Sequence, residues 1–519
     1  MVSTPRVLYI VFDRFPAPKG AAIHITAFAR ALGEAIGPVE LITLADDPAA
    51  LQPNPSPLPD LPNVTHTPLP APGRTVIDRA MAFRSHFGAW RKGRKFPIVH
   101  FRSIFEGYPI ARHKSQVCDK LVFEVNGLPS IELKYHYPAV ADDRDLLEKL
   151  IAQEQCCIDA ADLLITVSEV TANHLISRGA ERSRIRVIPN GVDLSTFPYR
   201  APSPLSASEP FGMINSLSPV LRGEGWGEGP AFDSRDIQHL PNRPLTPTLS
   251  PEYGGEGESR APDSALSTQS SALDAPHSAL STQHSALDAP QSALSTLHSA
   301  LISHSPVAAP HSALCTVHSA LLPHSALSVP VRLLYSGTLA SWQGVDRAIE
   351  ALALLRRDIP ATLTLIGPAS RARKEDLLRL ADSLAVGAFV RLLDPLPQQA
   401  LAALHHEHDV ALAPLLRNDR NVVQGCCPLK VLEAMAAGTP VIASDLPVVR
   451  ALAEHDRDAL LVRPGSGKAI KDAVLRLMTE PGLGQRLSAA ARARMERCHT
   501  WEIAGRQLIR AYRALSGMR

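Results

Sequence analysis

The residues best suited to chemistry lie in Pro428-Leu429-Lys430-Val431-Leu432-Glu433. The run Lys430 to Ala437 has a helical pattern, and Glu433 sits just inside it. Backbone N–H groups near a helix start point outward and attract anions. That suits a diphosphate, and a carboxylate there can accept two hydrogen bonds from vicinal hydroxyls such as those of a ribose. The bland alternative is a glutamate favoured by the helix dipole alone. Just upstream, Arg417 and Arg420 offer positive charge, either to a ligand or to solvent. Lys19-Gly20-Ala21-Ala22 lies between a strand and a helix, where a glycine lets backbone approach a ligand closely. His24 follows one turn later, as a site residue or as a capping or core histidine. Glu124-Val125-Asn126-Gly127 closes a strand, and Asn126 can donate and accept hydrogen bonds but cannot act as a base. His405-His406-Glu407-His408 has the look of a metal cluster. No fourth partner stands at ligand spacing, so a solvated helix end is the expectation.

These residues need elements to hold them. Val7 to Phe12 is a continuous apolar run, as expected of a parallel strand covered on both faces. Ile23, Ala27, Phe28, Ala31 and Leu32 then fall at helical spacing. Leu121 to Val125 and Leu163 to Val167 read as further strands, and Val331 to Ser336, Ala361 to Ile366, Val410 to Ala413 and Pro440 to Ser444 as another set. Alternating strands and helices imply open parallel sheets. Ligands of such sheets bind at the carboxyl ends of the strands. Two facing sheets place the default site in the cleft between them.

The segment from about 201 to 330 differs. It repeats His277-Ser278-Ala279-Leu280 and His284-Ser285-Ala286-Leu287, with Ser292-Ala293-Leu294 after them. One large apolar residue per unit, among Ser, Thr and Pro, predicts a disordered insertion rather than a coiled coil. The expected domains are therefore 1–200, an insertion at 201–330, a second α/β domain at 331–495, and a terminal helix at 496–519 packing back on the first domain.

Composition narrows the class. Lys and Arg total 53 against 51 Asp and Glu, which argues against nucleic acid as a partner bound through bulk charge. No stretch of 18 apolar residues occurs, and Met1 to Pro5 lacks a signal-peptide layout, so a cytoplasmic location is expected. The seven cysteines include the adjacent pairs Cys156-Cys157 and Cys426-Cys427, with no CxxC spacing. Arg84, Arg91, Lys92, Arg94 and Lys95 form a small basic cluster, a candidate for peripheral contact with anionic headgroups at the inner membrane face or a solvated surface.

Several motifs in order resemble one family. They are Ile165-Thr166-Val167-Ser168, then Ile185-Arg186-Val187-Ile188-Pro189-Asn190-Gly191-Val192-Asp193, then Pro428 to Ser444, then Ala459 to Gly465, and the helix after Thr500-Trp501-Glu502. Together they resemble family-four retaining glycosyltransferases of GT-B fold, two Rossmann-like domains facing a cleft. The resemblance implies sugar transfer from a nucleoside-diphosphate sugar to a glycan or lipid-linked acceptor, without a divalent metal. It implies that Glu433 grips the ribose, that Gly20 meets the diphosphate from the opposite side, and that the leaving phosphate itself takes the acceptor's proton. Pro428 and Leu429 belong to the same donor segment, and Asn126 stands where many relatives carry a histidine on the acceptor side.

Two positions depart from the family pattern. Where many members carry a second glutamate near the donor sugar, this chain has Gly425, followed by Cys426 and Cys427, which either form a compact wall to the sugar or simply pack. Where members place Arg and Lys after the first strand of the second domain, the stretch Gly337 to Gly344 has Thr338 and Gln343. The nearest replacement cations are Lys430 first and Arg417 second. The alternatives are a nucleotide-sugar epimerase of similar architecture and a catalytically degenerate binding protein.

Overall fold

The computed structural model describes residues 5–17, 20–45, 56–58, 60–203 and 329–517. The expected disordered insertion falls almost wholly on 204–328, outside the described residues.

The first sheet contains β1 (Val7–Arg14), β2 (Val39–Leu44), β3 (Ser56–Pro57), β4 (Val64–Leu69), β5 (Phe96–Phe101), β6 (Cys118–Val125), β7 (Leu163–Thr166) and β8 (Ile185–Val187). Its order is β3-β4-β2-β1-β5-β6-β7-β8, and only the β3–β4 pair is antiparallel. Side chains alternate between two covered faces. Leu8 and Ile10 join one apolar cluster with Phe101 and Phe123, while Val7, Tyr9 and Val11 join another with Ile25 and Phe28. Burial on both faces is why the strand reads as unbroken apolar sequence.

The second sheet holds β9 (Val331–Ser336), β10 (Ala361–Ile366), β11 (Val390–Leu393), β12 (Val410–Ala413), β13 (Val441–Ser444) and β14 (Leu460–Val462). Its order is β11-β10-β9-β12-β13-β14, wholly parallel. The fold is thus α/β with two Rossmann-like sheets. In each, strand order reverses beside the first strand, between β1 and β5 and between β9 and β12, which are the points where open α/β sheets bind ligands.

The chain crosses from the first domain at Pro189–Asp193 and returns beside that crossing. Val192 donates its N–H to the His499 carbonyl at 2.9 Å, and a Cβ on Gly191 would overlap the Thr500–Trp501 backbone. The last helix, Trp501–Ser516, then lies on the helix Gly20–Ala35 and buries Leu508 and Tyr512 in the first domain's core.

Arg84, Arg94 and Lys95 of the basic cluster have partners within the protein. Arg84 turns inward and donates to the Phe105 and Ile104 carbonyls at 2.6 and 2.9 Å. Arg94 pairs with Glu40 at 2.6 Å and stacks on Trp90, and Lys95 pairs with Asp119 at 2.7 Å. These cations are committed to the protein's own groups. Among the described residues no helix is long and apolar enough to cross a membrane.

Candidate active site

The helix Leu429–Ala437 begins after Pro428 with no side-chain cap on its first N–H groups and ends at the left-handed Gly438. Its start faces that of Gly20–Ala35: a Cβ on Gly20 would lie 2.8 Å from Leu429 Cδ1. Two helix N-termini, one from each domain, therefore converge on one spot, and both favour an anion.

Lys430 folds back over the loop after β9. Its Nζ lies 2.8 Å from the Tyr335 hydroxyl and 2.7 Å from Gln343 Oε1, and sits 4.2 Å above the Tyr335 ring. Gly337 makes room for the stem, since a Cβ there would be 2.9 Å from Lys430 Cε. The ammonium thus rests at Gln343, one of the two positions where the family pattern has a cation. Burial pushes the Lys430 amine down to about 7. Glu433 is buried one turn on, and burial pushes its carboxyl up to about 7 against a hydrogen bond from Gln398. Thr338 is exposed, and its carbonyl accepts the Tyr335 hydroxyl at 2.7 Å.

The wall beside this pair is a short wide turn, Arg420–Gln424, with the i→i+5 hydrogen bond of a π-helix from the Gly425 N–H to the Arg420 carbonyl. The two arginines of this loop sit differently. Arg417 is exposed, whereas Arg420 lies 5.7 Å from the Trp342 ring centroid and 3.1 Å from Glu132 Oε1. Gln424, fully buried, accepts the Leu128 N–H at 2.9 Å and donates to Glu132 at 2.8 Å. Gly425 has φ +83°, and a Cβ there would lie 2.5 Å from Ser168 Oγ and 2.9 Å from Thr171 Oγ1. Position 425 therefore faces the first domain and has no room for a carboxylate, which explains the absent glutamate. Cys427 packs in the core, and burial pushes its thiol up to about 12; burial also raises Cys426. Neither is a reactive thiolate. The helix Pro129–His136 closes over this wall. Lys134 and Tyr135 both donate to Asp419, and Tyr135 and His136 flank Trp342.

On the acceptor side, the carboxylate of Glu124 is wholly buried. Oε1 receives Arg102 Nε at 3.0 Å and the Asn126 amide, and Oε2 receives the Tyr9 hydroxyl at 3.0 Å; His24 Nε2 lies 2.8 Å from Oε1 and His100 Nε2 3.1 Å from Oε2, neither in line for a hydrogen bond. Burial alone would raise its carboxyl, but the charges of Arg102 and His24 with these hydrogen bonds hold it well below the usual range. Asn126 is thus a partner of Glu124, at the lip of the sheet. His24 also reaches Asn190, whose amide donates to the Cys427 carbonyl at 2.9 Å.

The structure brings Gly20, Gly337, Gln343, Pro428, Leu429, Lys430 and Glu433 together, with His24 on the helix Gly20–Ala35 and Asn126 just past the end of β6 on the first domain's side. It leaves Arg417 outside. His405 is buried in an apolar setting that pushes it down to about 3, and His408 bonds the Leu404 carbonyl and Thr364. Among the described residues no group of three His, Cys, Asp or Glu side chains has metal-holding geometry. Sequence reasoning passed over Glu124 itself, although a carboxylate inside an apolar strand demands buried partners. It also missed Arg102, Glu132 and Gln424, whose partners come from distant segments.

Residues 330–480 match the family model of glycosyl transferases group 1, and residues 18–196 that of glycosyltransferase family 4. The D-inositol 3-phosphate glycosyltransferase of Corynebacterium urealyticum is 29% identical over 191 residues, 36% of this chain and 43% of that protein. The glycogen synthase of Mycobacterium tuberculosis is 30% identical over 193 residues, again 36% and 43%. The chain thus spans less than half the length of these curated relatives. Among solved structures, the sucrose-phosphate synthase of Thermosynechococcus elongatus aligns with TM-score 0.63 at 17% identity, over 99% of this chain and all of that one. The Anabaena protein HepE, crystallised with UDP and glucose, aligns with TM-score 0.58 at 12% identity, over 98% of this chain and all of that one.

Proposed function

Because the chain belongs to the group 1, family-four-like glycosyltransferases of GT-B fold, we propose that it moves a sugar from a nucleoside-diphosphate sugar to a glycan or lipid-linked acceptor, with retention of anomeric configuration. One observation carries the reading: two helix N-termini from opposite domains meet beside a buried lysine amine and a buried glutamate. In this reading the diphosphate lies between Gly20 and Leu429. Lys430 supplies the charge that Thr338 and Gln343 do not, and Glu433 takes the two ribose hydroxyls.

The transfer balances without a side-chain base. The bond from the anomeric carbon to the diphosphate oxygen breaks, and the acceptor oxygen bonds to that carbon on the same face. The departing phosphate oxygen takes the acceptor's proton. Positive charge preorganised at the leaving oxygens is what lowers such a barrier, and Lys430, Arg420 and the helix ends provide it here. Asn126, unable to act as a base, fits this route. The surroundings of Asn126, with Arg102 close behind, suit polar acceptor groups.

A panel of UDP- and GDP-sugars offered to the purified protein, with Glu433→Gln as control, tests the reading. Nucleoside diphosphate release that depends on acceptor and is lost in the control is the expected result. An isomerised donor would instead indicate an epimerase, and absence of binding to every donor would sink the reading altogether.

A further inference from the structure

A carboxylate stands in the wall of a site that is read as binding an anion. Glu132 Oε1 lies 3.1 Å from Arg420 Nε, and both side chains are mostly buried. The Nε proton is not in line with that oxygen, so the contact is one of charge rather than a hydrogen bond. Arg420 in turn lies near the donor lysine: burial lowers the Lys430 amine, and the Arg420 charge adds to it. Charge alone would make an anionic neighbour weaken diphosphate binding. The placement of Glu132 therefore calls for another reason.

The helix Pro129–His136 holds Arg420 at both ends. At the backbone end, Lys134 and Tyr135 donate to Asp419, whose Oδ1 accepts the Arg420 N–H at 2.9 Å. At the guanidinium end stands Glu132, itself fixed by Gln424. The Gln424 Oε1 accepts the Leu128 N–H at 2.9 Å, and its Nε2 donates to Glu132 Oε1 at 2.8 Å. Turning that amide over would set oxygen against carboxylate and NH2 against N–H, so one orientation alone is consistent. Glu132 Oε2 packs on Gly127, where a Cβ would overlap it. The helix is tied to the first domain by Glu154, fully buried, which accepts the Ser130 N–H at 2.8 Å and the Ser130 hydroxyl at 2.7 Å.

We propose that Glu132 is a positioning residue: held by Gln424, it aims the Arg420 guanidinium into the donor site, so that the first domain sets the geometry of a cation that belongs to the second. The proposal rests on the donor-site reading and deepens it, because it gives the acceptor-side domain a share in the grip on the diphosphate. Asp419 by itself fixes only the Arg420 backbone and leaves the side chain to swing beside Trp342, whose ring centroid is 5.7 Å away. A guanidinium already ordered binds an anion at a lower entropic cost.

Glu132→Gln keeps the size of the side chain and the bond from Gln424 but removes the charge. Calorimetry with UDP on the full chain should show about tenfold weaker binding, even though the site has lost a negative charge. In an Arg420→Met background the same substitution should no longer weaken binding. Equal weakening in that background would mean that Glu132 merely supports the wall. Unchanged or stronger binding in the otherwise wild-type chain would mean a bare charge effect. Either overturns the proposal. A second measurement needs no nucleotide. Phenylglyoxal modification of Arg420, read by peptide mass spectrometry with exposed Arg417 as internal reference, should quicken by the same factor in Glu132→Gln and in Gln424→Met. Unchanged Arg420 reactivity in either variant overturns the proposal whether or not UDP binds. Quicker modification in both variants, with no UDP binding by the wild type, would count against the donor-site reading and leave Arg420 held as described.

Discussion

In the proposed donor site, Lys430 counters the phosphate charge. A buried charge-assisted hydrogen bond contributes about 1.5–3 kcal/mol, roughly ten- to hundredfold in affinity. Lys430→Met should therefore weaken UDP binding by that order in calorimetry. Lys430→Arg should not restore it, because a planar guanidinium does not fit a slot shaped by Gly337, Tyr335 and Gln343. The pH sign is fixed by burial. The free amine sheds its proton near 7 instead of its ordinary 10.5, and a diphosphate favours the charged form. UDP binding should thus take up a proton above about pH 7, and that uptake should vanish in Lys430→Met, read from heats in buffers of different ionisation enthalpy. For stability the unfolded chain holds one more proton between about 7 and 10.5, so this lysine makes the fold more stable as pH rises through that window. Glu433, raised from 4.5 to about 7, does the reverse between those values. The sequence singles out Lys430 as the candidate cation, because the helix motif and the missing cations at 338 and 343 leave few others. Its neutral tendency is not legible there, since that depends on Tyr335 and Gln343 closing over it.

Among the elements, the strands and the donor helix were readable because parallel sheets covered on both faces yield unbroken apolar runs such as Val7 to Phe12. The Arg420–Gln424 turn was not, because an i→i+5 turn has no strong sequence signature and its side chains are anchored by Leu128, Glu132 and Trp342, far away in the chain. Gly425 shows the consequence. From sequence it reads as a lost glutamate; in the fold it is a positive-φ residue pressed on Ser168 and Thr171 at the start of the helix Glu169–Ser177. Gly425→Glu, which would restore the family pattern, should therefore harm the protein. A side chain in that positive-φ, extended-ψ backbone region costs about 1–3 kcal/mol before any clash, and the contact with Ser168 adds to it. The expected outcome is a lower midpoint in urea and no gain in turnover. A rise in turnover at unchanged stability would mean that the turn can move away from the first domain.

At the scale of the molecule, the chain leaves the first domain at Pro189–Asp193 and comes back at His499–Thr500, so the two crossings lie side by side and share hydrogen bonds. The double crossing lies beside the His24–Asn190 contact, and the domains also meet where Gln424 reaches Leu128 and Glu132 and where Lys134 and Tyr135 reach Asp419. It also means that the last helix belongs, energetically, to the first domain. Leu508 and Tyr512 are fully buried against residues of β1 and the helix Gly20–Ala35, and the Tyr512 hydroxyl reaches His100 beneath Glu124. The second domain keeps its own cover, since Leu487, Ala491 and Met495 of the helix Leu483–Cys498 pack into its core clusters. Truncation after Cys498 should thus strip one domain and spare the other. Each large apolar side chain lost contributes about 1.5–3 kcal/mol, so removal of Leu508, Ile509 and Tyr512 together takes several kcal/mol from the first domain alone. Scanning calorimetry of the truncated chain should split one transition into two, with the earlier one assigned to the first domain by the loss of protection at Val7–Ile10. A single transition at the wild-type temperature would show that the terminal helix is not what holds the acceptor side together.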